Sequence, residues 1–265
     1  MTKKALFILI IASTLLSCGN YQQLLKSKDP EVKYNAAVEY FNQKEYNKAQ
    51  TLFDDVTAYY RGTDRSEDIL NYLSRCYVGQ KSYTMAQEYY ETYIRNYPKG
   101  RHIIESRYML GYCYYIDSPD ARLDQTATKK AIQYLEEFLD IYPDSDYAPD
   151  ARKYLEEMYD KLAQKELYTA QLYYNLGTYL GNNYESARIV ATNAMKAYPY
   201  SQYREEFNFI ILQAKHQEAV LSVEERKKER VQETIDEYYN FITDFPNTKH
   251  KKAADKILNQ AKKMQ

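Results

Sequence analysis

The residues able to do chemistry in this chain are few and scattered. Its three histidines, His102, His216 and His250, stand far apart. None has the spacing of a zinc protease or of a Cys–His nucleophile pair. There is no glycine-rich phosphate loop in a chain with only 7 Gly. Glu136-Glu137 and Glu156-Glu157 read as surface charges on helices, and Glu224 to Arg230 as a solvated helix laced with i,i+4 ion pairs. The pattern supports neither a catalytic centre nor a metal site nor a cofactor. Cys76 and Cys113 read as small buried residues. A disulfide between them is chemically permitted outside the cytoplasm, under narrow geometric demands. The third thiol stands in a different setting: Cys18 ends the apolar run Ala5 to Leu16.

That run follows Lys3-Lys4 and closes on Ser17-Cys18-Gly19, the layout of a secretory signal peptide over residues 1–17. It is shorter than the roughly 20 residues a permanent membrane helix needs. Leu15-Leu16-Ser17-Cys18 resembles the lipobox of bacterial lipoproteins. The resemblance implies that the Cys18 thiol receives a diacylglycerol, that the chain is cut before it, and that the new amine is acylated. Three acyl chains give stable anchoring where one binds only marginally. Residues 18–29 then form the lipidated cysteine and a short polar tether.

With 45% hydrophobic and 28% charged residues, the chain has the make-up of an ordinary globular protein. Removing residues 1–17 deletes two lysines and no acid, which takes the formal charge from −1 to −3. No strong field argues for nucleic acid as a partner. Few Gly and Pro permit long helices and exclude a turn-rich β fold. The 32 Tyr, against 8 Phe and no Trp, suggest half-buried seams where a ring packs and its hydroxyl reaches water.

An internal repeat organises the rest. Tyr-x-x-Ala recurs as Tyr46 to Ala49, Tyr83 to Ala86 and Tyr184 to Ala187. A proline follows at a constant 12 residues: Ala86 to Pro98, Ala131 to Pro143, Ala187 to Pro199 and Thr234 to Pro246. Between them, Tyr90 and Tyr93, Leu135 and Phe138, and Tyr238 and Phe241 fall on one helical face. Pro ends each helix. The Ser or Thr two residues on (Ser145, Ser201, Thr248) is placed to cap the next one. Leu110-Gly111 marks a partner helix upstream, and Leu176-Gly177 looks like a second instance.

This is a tetratricopeptide-like pattern, so the expected fold is an all-α solenoid of about five helix pairs. The second helices fall near 46–60, 83–96, 128–141, 184–197 and 229–244. Repeat one has Arg61 in place of the proline, and repeat five lacks the alanine. A breaker-rich loop near Asp117–Thr128 lengthens one period. An extra long helix from Tyr147 to Gly177 lengthens the next, and joins two sub-stacks, residues 30–143 with repeats 1–3 and 144–265 with repeats 4–5. Stacked repeats leave a concave face for partners. The first-helix residues Tyr34, Val38 and Phe41, with Asn71 and Arg75 in repeat two, are the candidates for binding a peptide. Lys249 to Lys263 holds six Lys against Asp255, the polar face of a capping helix or a surface for an acidic partner or anionic lipid.

Tyr142-Pro143-Asp144-Ser145-Asp146-Tyr147-Ala148-Pro149-Asp150-Ala151, then Lys161-Leu162-Ala163, Ala170 and Tyr173-Tyr174, together resemble the BamD family of outer-membrane β-barrel assembly lipoproteins. Tyr34-Asn35-Ala36-Ala37 and Arg122-Leu123-Asp124 extend the likeness over nearly the whole chain after Cys18. The resemblance implies a non-enzymatic scaffold, lipid-anchored in the outer membrane and facing the periplasm. It implies two partners, a BamA-like barrel subunit docked through its POTRA domains and unfolded outer-membrane proteins. Extended, aromatic-ended targeting peptides would enter a groove at Tyr34, Val38 and Phe41. Docking would involve Lys196, Tyr203 and Arg204, with Lys196 at a position that is basic in the family. The missing proline of repeat one departs from the family at the groove entrance. Gly19-Asn20 carries neither an inner-membrane retention Asp nor an acidic export cluster, in keeping with that placement. Two other readings fit parts of the pattern. One is another envelope repeat lipoprotein, such as a cell-division or peptidoglycan coordinator, against which the long helix stands. The other is a glycan-uptake lipoprotein, against which the absence of Trp stands.

Overall fold

The computed structural model describes residues 20–265. Cys18 and the signal segment lie outside them. Among the described residues there are twelve helices and no strand. Residues 20–26 form α1. The five pairs are α2 (Pro30–Asn42) with α3 (Tyr46–Thr57), α4 (Asp64–Gly79) with α5 (Tyr83–Asn96), α6 (Ile103–Asp117) with α7 (Thr126–Ile141), α8 (Ala148–Leu176) with α9 (Asn183–Ala197), and α10 (Arg204–Val220) with α11 (Glu224–Asp244). Helix α12 (Lys251–Lys262) follows. The expected all-α helical-repeat architecture is thus the observed one.

Small residues at the crossings explain why these segments pack as pairs. Ala37, Ser74 and Gly111 recur at intervals of 37 in first helices and are buried. In second helices Ala49, Ala86, Ala131, Ala187 and Thr234 are likewise small and fully buried, at less even intervals. Small side chains let two backbones approach until the larger neighbours interlock. Thr234 stands where the other repeats have alanine because its extra hydroxyl is satisfied internally, donating to the Arg230 carbonyl at 2.9 Å.

The chain forms two compact units. Unit 1 holds the described residues up to Asp117 together with Gln133–Ala151. Unit 2 holds Ser118–Ile132 with Arg152–Gln265. The loop after Asp117 belongs to unit 2 because α8 grips it. Lys161 Nζ donates to the Ser118 carbonyl at 3.1 Å and to its hydroxyl at 2.7 Å. Lys165 Nζ donates to the Leu123 carbonyl at 3.0 Å, and the Arg122 guanidinium sits 4.8 Å from the Tyr168 ring.

Three local expectations change. The long helix expected from Tyr147 to Gly177 is α8, 29 residues from Ala148 to Leu176, and it serves as the first helix of the fourth pair rather than as an addition to it. Leu176-Gly177 is its C-terminal stop and not a second Leu110-Gly111. Leu110 is 2% exposed and Leu176 38%, and Gly177 has φ +57°, the left-handed conformation that ends helices. The Ser and Thr after each proline do not cap the next helix directly. Ser145, Ser201 and Thr248 each accept from the backbone N–H two residues on, bracing the turn just ahead of the helix. In repeat one α3 ends at Thr57, and Gly62 at φ +79° closes the turn in place of the missing proline.

Helices α2 and α4 end in Schellman turns, with Glu45 N–H donating to the Tyr40 carbonyl and Ser82 N–H to that of Tyr77, both at 2.9 Å. The left-handed residues there are Lys44 (φ +63°) and Lys81 (φ +60°), where glycine is the unstrained choice. Lys44→Gly and Lys81→Gly should each raise stability by about 0.5–1 kcal/mol in urea unfolding. A loss at either site would mean that the lysine side chain holds something the turn geometry does not explain.

Cys76 and Cys113 are both free and buried, without a disulfide, and burial pushes each thiol up to about 12. The tyrosines do form seams. Tyr60 donates to Glu31 at 3.0 Å, Tyr114 and Tyr134 both to Glu91 at 3.1 Å, and Tyr238 to Asp255 at 2.6 Å.

Candidate functional site

In unit 1, α2 and α4 present a row of rings. Tyr34 lies edge-on to Phe53 and to Tyr60 at centroid distances of 6.0 and 5.7 Å. Phe53 stacks on Tyr72 at 4.9 Å, and Tyr72 meets Phe41 edge-on at 4.9 Å. An arginine covers each end. Arg65 sits 4.7 Å from the Tyr34 ring and 5.1 Å from Tyr60, and Arg75 sits 5.0 Å from Phe41. Phe53 is fully buried and holds the row from beneath, while Tyr34, Val38 and Phe41 are half-buried at the edge of that core. Partial burial raises the Tyr34 hydroxyl above its ordinary range, so it stays protonated. Arg75 also pairs with Glu105 at 3.5 Å.

Of the five peptide-binding candidates, Tyr34, Val38, Phe41 and Arg75 therefore share one partly exposed surface. Asn71 does not reach it: its side chain is 2% exposed and its Oδ1 has no hydrogen-bond partner. A buried, unsatisfied carbonyl is a conformational cost to unit 1 rather than a contact point. The sequence pattern did not single out Arg65, Tyr72 or Tyr60.

The starts of successive first helices are stapled by charge at about one repeat's separation. Arg65 donates to Glu31, with one bond at 2.8 Å, and Arg101 reaches Asp68 at 2.9 Å. Glu67 accepts from the Tyr93 hydroxyl and from the Arg101 backbone N–H. In unit 2, Glu205 accepts from Thr248 Oγ1 at 2.6 Å, and Glu206 pairs with Lys249. Acid–base pairs some 34 residues apart were a readable signal for Arg65. Hydrogen bonds from Arg65 and Tyr60 lower the Glu31 carboxyl to about 2. Burial opposes ionisation of Glu67, but the bonds from Tyr93 and Arg101 outweigh it and hold that carboxyl below its usual range.

Both staples stabilise the fold fully above the unfolded carboxyl value of 4.5 and lose that contribution as pH falls below it. Urea midpoints should therefore drop progressively below about pH 4.5, and Glu67→Gln should flatten that slope. An unchanged slope in Glu67→Gln would remove Glu67 from the account.

The second candidate region is the turn from α9 to α10. Lys196 is exposed in the last turn of α9, Tyr203 is half-buried beside the unit 2 core, and Arg204 Nη1 donates to the Pro199 carbonyl at 2.8 Å. The turn is fixed to α8 by Asp160, which accepts from Gln202 N at 3.1 Å and Nε2 at 2.9 Å. Between these residues stands Tyr200, 98% exposed, which sequence reasoning passed over. A fully exposed ring on a doubly pinned turn loses little entropy when a partner covers it. Among the described residues no group of three or more His, Cys, Asp or Glu could hold a metal, and no helix is long and apolar enough to cross a membrane.

Consecutive paired helices with small residues at each crossing and ordered aromatic and basic surfaces define a tetratricopeptide-like repeat protein. The family profile described as "YfiO: Outer membrane lipoprotein" matches residues 26–182, more than half of the chain, and the chain belongs to that family. It is 22% identical over 172 residues to "Outer membrane protein assembly factor BamD" of Caulobacter vibrioides, covering 63% of this chain and 56% of that one. It is 23% identical over 183 residues to the protein of the same name from Pasteurella multocida, covering 64% and 69%. The match thus spans little more than half the length of the Caulobacter relative. Solved structures similar to this chain include the TPR2AB domain of yeast Sti1 in complex with pHSP90 (TM-score 0.39, 13% identity, 88% of this chain and 98% of that one). The P58(IPK) TPR domain is another (TM-score 0.40, 14% identity, 96% and 67%).

Proposed function

We propose that this chain is a lipid-anchored scaffold of the machinery that assembles β-barrel proteins in the outer membrane. Cys18 carries the acyl chains, and the body faces the periplasm. The observation that carries the reading is the pairing of the family match with the arginine-flanked ring row at Tyr34 and Phe41. The relatives' name, outer membrane protein assembly factor, supports it.

In this reading the N-terminal repeats receive an extended, aromatic-ended segment of an unfolded barrel protein. Its aromatic side chain adds to the row beside Tyr34 and Phe41, and its carboxylate competes with Glu31 or Glu105 for the arginine beneath. The C-terminal repeats dock a BamA-like subunit through Lys196, Tyr203 and Arg204, with Tyr200 as the anchoring ring.

The tagged protein purified from envelopes should bring down a barrel subunit carrying POTRA domains. Recovery of division or glycan-uptake proteins alone would sink this reading. Tyr34→Ala and Phe41→Ala should each weaken binding of a C-terminal barrel-strand peptide about tenfold while leaving the pull-down intact. Peptide affinity unchanged from the parent protein in both variants would remove the row from the function.

A further inference from the structure

Unit 2 has an apolar edge that neither reading uses. The α8 end and the turn after it expose Leu172, Leu176, Tyr179 and Leu180, and the α10–α11 turn exposes Leu221 and Val223. Glu218 brings the two turns to one end. It accepts from Asn182 Nδ2 at 3.3 Å and from Arg188 Nε at 3.2 Å, while its carbonyl accepts from Arg230 at 3.2 Å.

Leu180 is the residue hardest to explain by folding. It is 91% exposed and sits at φ +55° between Gly177 (φ +57°) and Gly181 (φ +152°). A leucine gains nothing from that left-handed conformation, and here it gains no packing in return. The turn is nonetheless ordered, with Asn183 N–H donating to the Gly177 carbonyl at 2.9 Å and Asn183 Nδ2 to that of Tyr179 at 2.7 Å.

Cations gather at the same end. Ala261 packs with Ala219 and Val231, which places the last turn of α12 beside the α10–α11 turn. Lys262 and Lys263 are exposed there, and among the described residues neither has an ion-pair partner. Arg226, Lys227 and Lys228 follow Val223 on α11. Lys227 pairs with Glu224 at 3.0 Å, and Glu225 and Glu229 share the helix.

We propose that these two turns form a membrane-facing edge, which sets Tyr179, Leu180, Leu221 and Val223 into the interface of an anionic phospholipid bilayer. The apolar residues stand on projecting turns, the shape that enters a fluid interface. A tyrosine beside aliphatic tips suits the boundary between headgroups and acyl chains. The flanking lysines match an anionic surface. An outer membrane lipoprotein has a bilayer within reach. The edge would add a second, reversible contact to an N-terminal anchor and fix how unit 2 faces the membrane. The inference rests on family membership and stands apart from the peptide and docking readings.

The test uses the protein isolated from membranes and reconstituted into phosphatidylglycerol-containing or phosphatidylcholine vesicles. An environment-sensitive fluorophore is placed on Leu180→Cys, Leu221→Cys or Tyr200→Cys. Tyr200 lies at the other end of α9 and α10, and buried Cys76 and Cys113 stay unlabelled. Labels at 180 and 221 should shift to shorter emission wavelengths and be quenched by brominated acyl chains roughly fivefold more than the label at 200. Lys262→Glu with Lys263→Glu should return the 180 label toward water on phosphatidylglycerol vesicles. Equal quenching at 180 and 200 overturns the proposal. So does shielding at 180 that appears in detergent and grows with protein concentration, because the occupant is then a second copy.

Discussion

Valine at position 111 will cost the α6–α7 pair about 2–3 kcal/mol, the upper part of the range for overpacked crossings. A Cβ at Gly111 falls 2.8 Å from Leu135 Cδ2, 3.0 Å from its Cγ and 3.4 Å from its backbone nitrogen. Leu135 is fully buried and cannot swing away. Two effects compete in any replacement. Removing a glycine from a helix interior gains up to about 1 kcal/mol in backbone entropy. Alanine keeps most of that gain but already sets its Cβ against two Leu135 side-chain atoms at 3.0 Å or less, so Gly111→Ala should itself be destabilising, by about 1 kcal/mol. Valine keeps less of it and adds two methyl groups where there is no room. Hydrogen exchange of α6 and α7 amides, with urea unfolding, measures both variants. A Gly111→Val protein as stable as the parent would mean that the helices separate without cost, and the small-residue account of the repeat would fail.

Phe207→Ala should cost more, about 4–5 kcal/mol. Phe207 is fully buried in a cluster of which five members are alanines, Ala163, Ala170, Ala187, Ala191 and Ala194, beside Leu167, Ile210 and Ile211, with Val190, Met195 and four tyrosines packed against its outside. The price of a large-to-small change depends on how far the surroundings collapse. Alanines have no rotamers with which to fill the space, and the backbones they carry are already close. The cavity should persist, stay dry and take up benzene. Phe207→Leu, which restores most of the volume, should cost about 1–1.5 kcal/mol. A loss below about 2 kcal/mol for Phe207→Ala would show that α9 moves inward and that the site is not rigid.

The repeat was legible because two of its requirements are chemical. A crossing needs a small side chain, and a proline cannot continue a helix, so Ala187 and Pro199 fix a helix between them. The same signals fail where one residue type serves two purposes. Glycine permits close approach at 111 and a left-handed stop at 177, and the Leu-Gly pair alone does not separate them. Spacing does: Gly111 precedes Ala131 by 20 residues, Gly177 precedes Ala187 by only 10. At the candidate site, Tyr34, Val38, Phe41 and Arg75 were found from helical periodicity, which reports on one helix at a time. Periodicity misjudged Asn71, a polar residue on a buried stripe. Arg65, Tyr72 and Tyr200 were missed because their roles depend on which helices become neighbours or on how a turn is pinned.

The hydrogen bonds that tyrosines give to carboxylates, at Glu31, Glu67, Glu91 and Asp255, also make the protein its own optical reporter. With 32 Tyr and no Trp, no indole drains or masks the phenol emission. A phenol bonded to a carboxylate loses its excited state without emitting, because the proton moves toward the acceptor. Folded protein should therefore be dim for its tyrosine content and should brighten as those bonds open. Each staple could then be followed by light alone, with a single Tyr→Phe change identifying which bond is breaking.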